Sequence, residues 1–397
     1  MLTDLSQDRA VAAWVRHQGL GARADAALAD VVAATGWIRT LGGVDAYVSL
    51  AARASGVTVA GVHAAVAARD LQVVPAARGC IYLVPRQQVP LALALAHDLS
   101  ARRNERDLEK AGSSVTERQQ VEAAVLQALE AGPATTPALR KRLPDGVLRS
   151  FGDAGMEVGL TSALGPALRA LECAGRVSRQ VIDGRLDHER YAWTMSQGAD
   201  GPDPRPAAER DRDLARVFLR AFAPADPAAF ADWSGLTKTR AKAAFAALGL
   251  MELRVGGGAM AVLPDQAAAL GEPAPSAPRL LSGLDNLLVW HGGPAAFVHP
   301  EDHDRPLSVW GRQKGRTWGT VKHALSRVVL AGGVVRGLWE WDAAAGEVVT
   351  GPYAPGLPPG IDAAPLTALL SDIGHARAFS IEKDDTVARR AAEVRAL

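Results

Sequence analysis

The sequence has very little cysteine, no long apolar run and no surplus of either charge. Only Cys80 and Cys173 occur in 397 residues. Two lone thiols make neither a disulfide framework nor a zinc site, and they fit a reducing cytoplasm. No run of roughly 18 apolar residues is present, so no membrane span is expected. The N-terminus, MLTDLSQDRA, carries Asp4 and Asp8 and lacks the basic-then-apolar pattern of a secretion signal. A cytoplasmic location follows as the expectation. The net charge of +1 excludes a uniformly basic protein, so any anion-binding role needs segregated charge. Gly256-Gly257-Gly258 is not followed by Lys-Ser or Lys-Thr and is not a phosphate loop. His299-Pro300-Glu301-Asp302-His303-Asp304 is dense in possible metal ligands, but its proline and polar run read as an exposed turn. Neither metal nor cofactor is expected.

What is present is alanine-rich and periodic. At 48% hydrophobic and 22% charged the composition is that of a folded chain, and its length suggests several domains. Abundant alanine favours helix. The stretch Thr35 to Arg53, TGWIRTLGGVDAYVSLAAR, organises the first unit. A helix over 25–38 runs into the Gly42-Gly43 break, and Val44 to Arg53 forms the next helix. The corner between them holds Trp37 and Arg39. Thr58 is placed to cap a helix over 59–69. The pieces Leu71–Val74 and Cys80–Val84 then flank a turn at Arg78-Gly79, which makes a hairpin. Helices followed by a hairpin are the winged-helix arrangement.

The pattern recurs. In the second unit, helices over 115–131, 137–143 and 161–174 precede RVSRQVIDGRLDHERYAWTM, where Asp183-Gly184 signals a two-residue hairpin turn. Its strands carry Arg176, Arg179, Arg185 and Arg190, the look of a phosphate-contacting wing. After a Pro/Gly-rich linker, a third unit ends on Leu236–Leu248, which opens with Lys238, Arg240 and Lys242. The domains expected are 1–112, 113–200 and 208–265, followed by 279–397. From Leu280 the texture reads as β, including LLVW and AAFVH. Between Arg305 and Arg336 lie seven basic residues and no acid. Arg312, Lys314 and Arg316 are interleaved there with Trp310 and Trp318, charge for phosphates and rings for bases. Asp285, an acid inside an apolar run, is either a buried structural acid or a site acid.

Several of these segments together resemble the HTH_42 superfamily of bacterial winged-helix proteins. They are AYVSLAAR, ARGCIYLVP, FLRAFAPADPAAFADWSGLTKTRAKAAFAAL, RLLSGLDNLLVW and VVLAGGVVRGLWEWDAAAGEVV. Characterised members of that superfamily include DNA glycosylases that unhook interstrand crosslinks and excise bulky N-alkylated purines. The resemblance implies an α+β protein, with three tandem winged-helix modules followed by a C-terminal antiparallel β-rich half-barrel. It implies duplex DNA as partner, alkylated or crosslinked, and a monomer. It also exposes a departure. The glycosylases carry Gln-aliphatic-Gln or Gln-aliphatic-Asp at the corner, where this chain has Arg39-Thr40-Leu41. Leu41 cannot hold a water, and Arg39 cannot act as a general base. The leading expectation is therefore a DNA-binding protein that recognises damaged or distorted duplex without cutting the glycosidic bond. The alternatives are an active glycosylase with a variant site using Asp45 and a winged-helix transcription regulator.

Overall fold

A computed structural model describes residues 3–196, 201–307, 315–353 and 355–397. The chain opens with β1 (Thr3–Leu5), α1 (Gln7–His17), α2 (Leu28–Ala34), β2 (Ile38–Arg39), α3 (Asp45–Arg53) and α4 (Val59–Ala67). A hairpin of β3 (Leu71–Pro75) and β4 (Ile81–Pro85) follows, then the long α5 (Val89–Lys110). The second unit comprises α6 (Val115–Glu130), β5 (Ala134–Thr135), α7 (Thr136–Arg142), α8 (Gly152–Glu157), α9 (Leu164–Cys173), β6 (Val177–Val181) and β7 (Tyr191–Met195). The third comprises α10 (Ala207–Phe222), α11 (Pro227–Ser234), α12 (Lys238–Ala246), β8 (Met251–Val255) and β9 (Gly258–Val262). The C-terminal part holds β10 (Arg279–Leu281), α13 (Asn286–Trp290), β11 (Arg327–Ala331), β12 (Val334–Asp342), β13 (Glu347–Pro352), α14 (Ala364–Ile373) and α15 (Asp384–Arg395).

The fold is mixed α+β, with small and mainly antiparallel sheets. Each of the first three helix groups ends on a three-stranded sheet, in the orders β2-β4-β3, β5-β7-β6 and β1-β8-β9. The last sheet is a four-stranded antiparallel meander, β10-β11-β12-β13. The helices start where their caps say: Ser6, Thr58, Ser114, Thr135, Asp226 and Thr237 each accept from a first-turn amide.

Local patterns differ from the structure at five places. The helix expected over 25–38 stops at Ala34, because Gly36 (φ 72°) and Trp37 (φ 69°) turn the chain and Ile38–Arg39 pairs with Leu83 and Tyr82 of β4. Asp183 and Gly184 do have positive φ, but the strands do not close around them. Val181 pairs with Tyr191, so residues 182–190 form a long loop in place of the expected two-residue turn. LLVW is the short helix α13 and AAFVH begins in a 3₁₀ turn, where strands were expected. Helix α8 was not foreseen; its glycines and exposed methionine give it a weak apolar stripe.

The cores cross the boundaries expected from composition. The second unit has a core of its own, built from α6, α7, α9 and the β6–β7 pair. One larger core instead joins α1, the start of α5, α10–α12, α13 and the C-terminal sheet. Another joins α2–α4, the first hairpin, the C-terminal sheet and α14. Even the first strand crosses over: Thr3–Leu5 runs parallel to β8, more than two hundred residues away in sequence.

Candidate functional site

The corner between β2 and α3 is clamped on all sides. Asn286 donates through Nδ2 to the carbonyls of Thr35 (2.8 Å) and Trp37 (2.6 Å). These bonds hold the left-handed backbone at Trp37, a conformation that strains a bulky residue. Trp37 itself is fully buried. Its ring lies 5.2 Å from Trp233, and its indole N–H donates to Gln88 at 2.6 Å. It presents no face on which an incoming base could stack. At the far side of the corner, Val44 N donates to Arg377 O (2.8 Å) and Ser380 N to Leu41 O (3.3 Å). A Cβ on Gly43 would run into the backbone of Arg377 and Ala378, so only glycine lets the C-terminal segment approach this closely.

Asp285 resolves as a buried acid that organises the site. It caps α13 by accepting from Leu287 N, and it receives two bonds from Arg53, at 2.7 and 2.8 Å. Arg53 also donates to the carbonyls of Gln18 and Ser49. Ile38, Arg39, Leu41, Asp45, Ser49, Arg53, Leu284, Asp285 and Asn286 line a cleft of about 10 Å³, the size of one water molecule.

Asp45 stands at the inner wall of that cleft, 8% exposed, with Arg327 at 3.8 Å. Burial raises its carboxyl to about 6, against the opposing pull of Arg327, the Ser282 hydroxyl and Arg390. Arg327 continues into a buried network. It bonds Glu340, Glu340 bonds Arg390 at 2.6 Å, and Arg390 bonds Glu382. The acid at the corner is thus wired to α15. Arg39 and Leu41, which line the same cleft, are half-buried. Among the described residues, Arg39 Nη2 meets the Cys80 sulfur alone, at 3.8 Å.

The expected basic contacts divide into two kinds. Arg179 is held by Glu172, at 2.5 and 3.0 Å, and stacks on Tyr191 and Trp193. Arg185 is held by Asp187, at 2.6 and 2.7 Å, with a further bond to Ile373 O. Arg240 is held by Asp211 and by Asp98. These three are paired cations within the fold. Arg176, Arg190, Lys238, Lys242 and Arg316 are exposed. Arg78 is also exposed, with one bond to Asp232 O and its guanidinium 5.8 Å from the Trp290 ring. Arg312, Lys314 and Trp310 lie outside the described residues. Trp318, expected among the exposed rings, is buried and donates to the Tyr353 hydroxyl.

Sequence reasoning missed the loop at 182–190 as a strap. Leu186 N donates to Tyr47 Oη, His375 meets Asp187 at 3.0 Å, and Ser380 Oγ donates to Glu189 at 2.9 Å. The loop ties the second unit to α3 and to the C-terminal segment beside Gly42. No local pattern signals this, because every partner comes from a distant segment.

The fold has a counterpart among solved structures. The DNA glycosylase AlkZ of Streptomyces sahachiroi matches with a TM-score of 0.71 at 23% identity, over 95% of this chain and 99% of that one, a likeness of fold. No curated protein matches the sequence. The family described as DNA glycosylase AlkZ-like matches residues 43–365, beginning just after Leu41. With most of its length covered by that match, the chain belongs to the AlkZ-like DNA glycosylase family.

Proposed function

We propose that this protein binds duplex DNA through three winged-helix units and recognises damaged or distorted duplex, without hydrolysing the glycosidic bond at the family's corner. One observation carries this reading. Arg39 and Leu41 line the cleft from β2 and the turn after it, and the two acids that share it, Asp45 and Asp285, are buried beside Arg327 and Arg53. Breaking an N-glycosidic bond builds positive charge on the sugar and needs an activated water. A permanent cation at that place repels the charge, and a leucine holds no water. An arginine suits a phosphate or a base edge instead. Family membership supports DNA as the partner. Incubating the protein with duplex containing 7-methylguanine, or with crosslinked duplex, and cleaving abasic sites with alkali tests the proposal. Binding without strand cleavage is expected, and robust cleavage would overturn it.

A second reading has one observation in its favour. Asp45 combines a carboxyl raised to about 6 with a place on a water-sized cleft. In that reading Asp45 takes a proton from water. The water oxygen bonds to the sugar's anomeric carbon as the glycosidic bond breaks, and the purine leaves. Cleavage by the wild type that disappears in Asp45→Asn, with duplex binding retained, is the outcome that selects it.

A further inference from the structure

Most of the arginines described above face a carboxylate. Arg53 has Asp285, Arg179 has Glu172, Arg240 has Asp211, and Arg327 and Arg390 share Glu340. Arg39 has none. It is half-buried, its Nε is buried without a hydrogen-bond partner among the described residues, and its one contact is a weak acceptor, the Cys80 sulfur. Asp45 lines the same cleft, but the cations that act on it are Arg327 and Arg390. A cation partly out of water without an anion is an unfavourable arrangement on its own.

More positive charge surrounds it. Cys80 closes the β3–β4 turn that carries Arg78. Arg78 lies over the Trp290 ring, and three residues on, Gly293 sits against the backbone of Val321 and Lys322, 2.8 and 3.2 Å from where a Cβ would stand. Three separate segments, β2, the β3–β4 turn and residues 321–323, therefore converge. His323 joins them. Burial first, and then Arg39, Arg78 and Lys322, push its imidazole below the usual histidine value, with no acid opposing them. At neutral pH it is then an uncharged N–H donor among cations. Tyr82, paired with Arg39 across the sheet, adds a buried hydroxyl without a partner among the described residues.

We propose that Arg39, Arg78, Lys322 and His323 form one anion subsite, which seats a backbone phosphate of the duplex beside the corner. The proposal rests on the reading of the chain as a duplex-DNA binder. A phosphate supplies what the cluster lacks: several acceptor oxygens and a negative charge, matched to the planar fork of arginine. The subsite would fix the duplex so that the nucleotide next to the bound phosphate faces the cleft at Arg39 and Leu41.

The test is the salt dependence of binding to a fluorescent duplex, followed by anisotropy. Each phosphate contact contributes roughly 0.9 to the log–log slope. Arg39→Met with Lys322→Met should lower the slope by about two and weaken binding on the order of tenfold per cation removed. Should the Arg39 variant fail to fold, Arg78→Met with Lys322→Met carries the same expectation, because both side chains are exposed. A wild type that does not bind duplex at all removes the DNA reading itself. A wild type that binds with a steep slope, left unchanged in the double variants, overturns the subsite alone.

Discussion

Behind the corner, Asp45, Arg327, Glu340, Arg390 and Glu382 meet in a dry network of alternating sign; in front of it, Arg39, Arg78, Lys322 and His323 gather with no acid acting on His323. Arg39 and Asp45, one from each group, line the same cleft, and the fold treats the charges of the two groups in opposite ways. At the back, each buried ion has a counter-ion, which is the condition for keeping charge in a protein interior. At the front, charges of one sign collect at a partly open surface. Paired charge serves the fold. Unpaired charge of one sign is retained against self-repulsion where an anion arrives to complete it. The same division sorts the basic residues of the whole chain. Arg179, Arg185 and Arg240 belong with the back, as cations of the fold, while Lys238, Lys242, Arg176 and Arg190 remain exposed.

Breaking the back should have the largest effect. Arg327→Ala leaves Glu340, whose side chain is 1% exposed, with Arg390 as its remaining cation among the described residues. Removing one partner of a buried pair costs about 3–5 kcal/mol, so urea unfolding should show a loss of that order. Arg179→Ala should behave similarly, because Glu172 is 2% exposed and Arg179 is its bidentate partner. A drop below about 1 kcal/mol in both would mean that these ions are solvated and that the contrast between the two sides is empty.

Next in size is the pH dependence of the back. Asp45 is raised from 3.8 to about 6 in the fold, so the native state holds its proton more tightly than the unfolded chain does. Below pH 3.8 the carboxyl is neutral in both states and costs nothing. As pH rises towards 6, the unfolded chain ionises first and stability falls; above 6 the penalty is constant. At about 1.4 kcal/mol per unit this amounts to roughly 3 kcal/mol. Melting curves of wild type and Asp45→Asn should therefore diverge between pH 4 and 6, with the variant the more stable at neutral pH. Parallel curves would show that Asp45 ionises as it does in water.

The front should respond with the opposite sign and a smaller magnitude. Arg39→Met removes a half-buried cation that has no carboxylate among the described residues and leaves apolar volume in its place. Thermal stability should stay level or rise, by no more than about 1 kcal/mol, while duplex affinity falls. A large loss of stability would place Arg39 with the structural arginines.

How much of this was legible beforehand depends on range. The glycine break, the cap at Thr58, the first hairpin and the helix after Gly43 are local signals, and they hold. Arg39 and Asp45 could be named because they stand beside that break. The distinction between paired and unpaired cations could not be read. Arg53 finds Asp285 at a separation of 232 residues, and Arg185 reaches the carbonyl of Ile373 at 188. The burial of Trp37 could not be read either, for the same reason. Its burial is set by Trp233 and Gln88, from the third unit and the foot of α5. Even Asp183-Gly184 obeyed its local rule of positive φ, yet tertiary contacts of Leu186 and Asp187 opened the turn into a strap.

The smallest expected effect is also the most direct probe of the corner. Arg39 and Leu41 line the same water-sized cleft as Asp45, so glutamines at both positions would add amide groups that can hold a water there. Arg39→Gln also removes the fixed charge that opposes positive charge on the sugar. The clamps from Asn286, Arg377 and Ser380 act on backbone atoms and remain in the double variant. Arg39→Gln with Leu41→Gln should therefore release 7-methylguanine slowly but measurably, above a wild-type rate indistinguishable from buffer. The gain should be modest, because losing Arg39 also weakens the hold on the duplex. Adding Asp45→Asn to that variant separates the two remaining possibilities. If release persists, the glutamines alone position the water; if it vanishes while duplex binding is kept, the buried carboxyl supplies the base. A double variant that binds duplex as the wild type does and still releases nothing would show that the front of the corner does not face the reacting sugar.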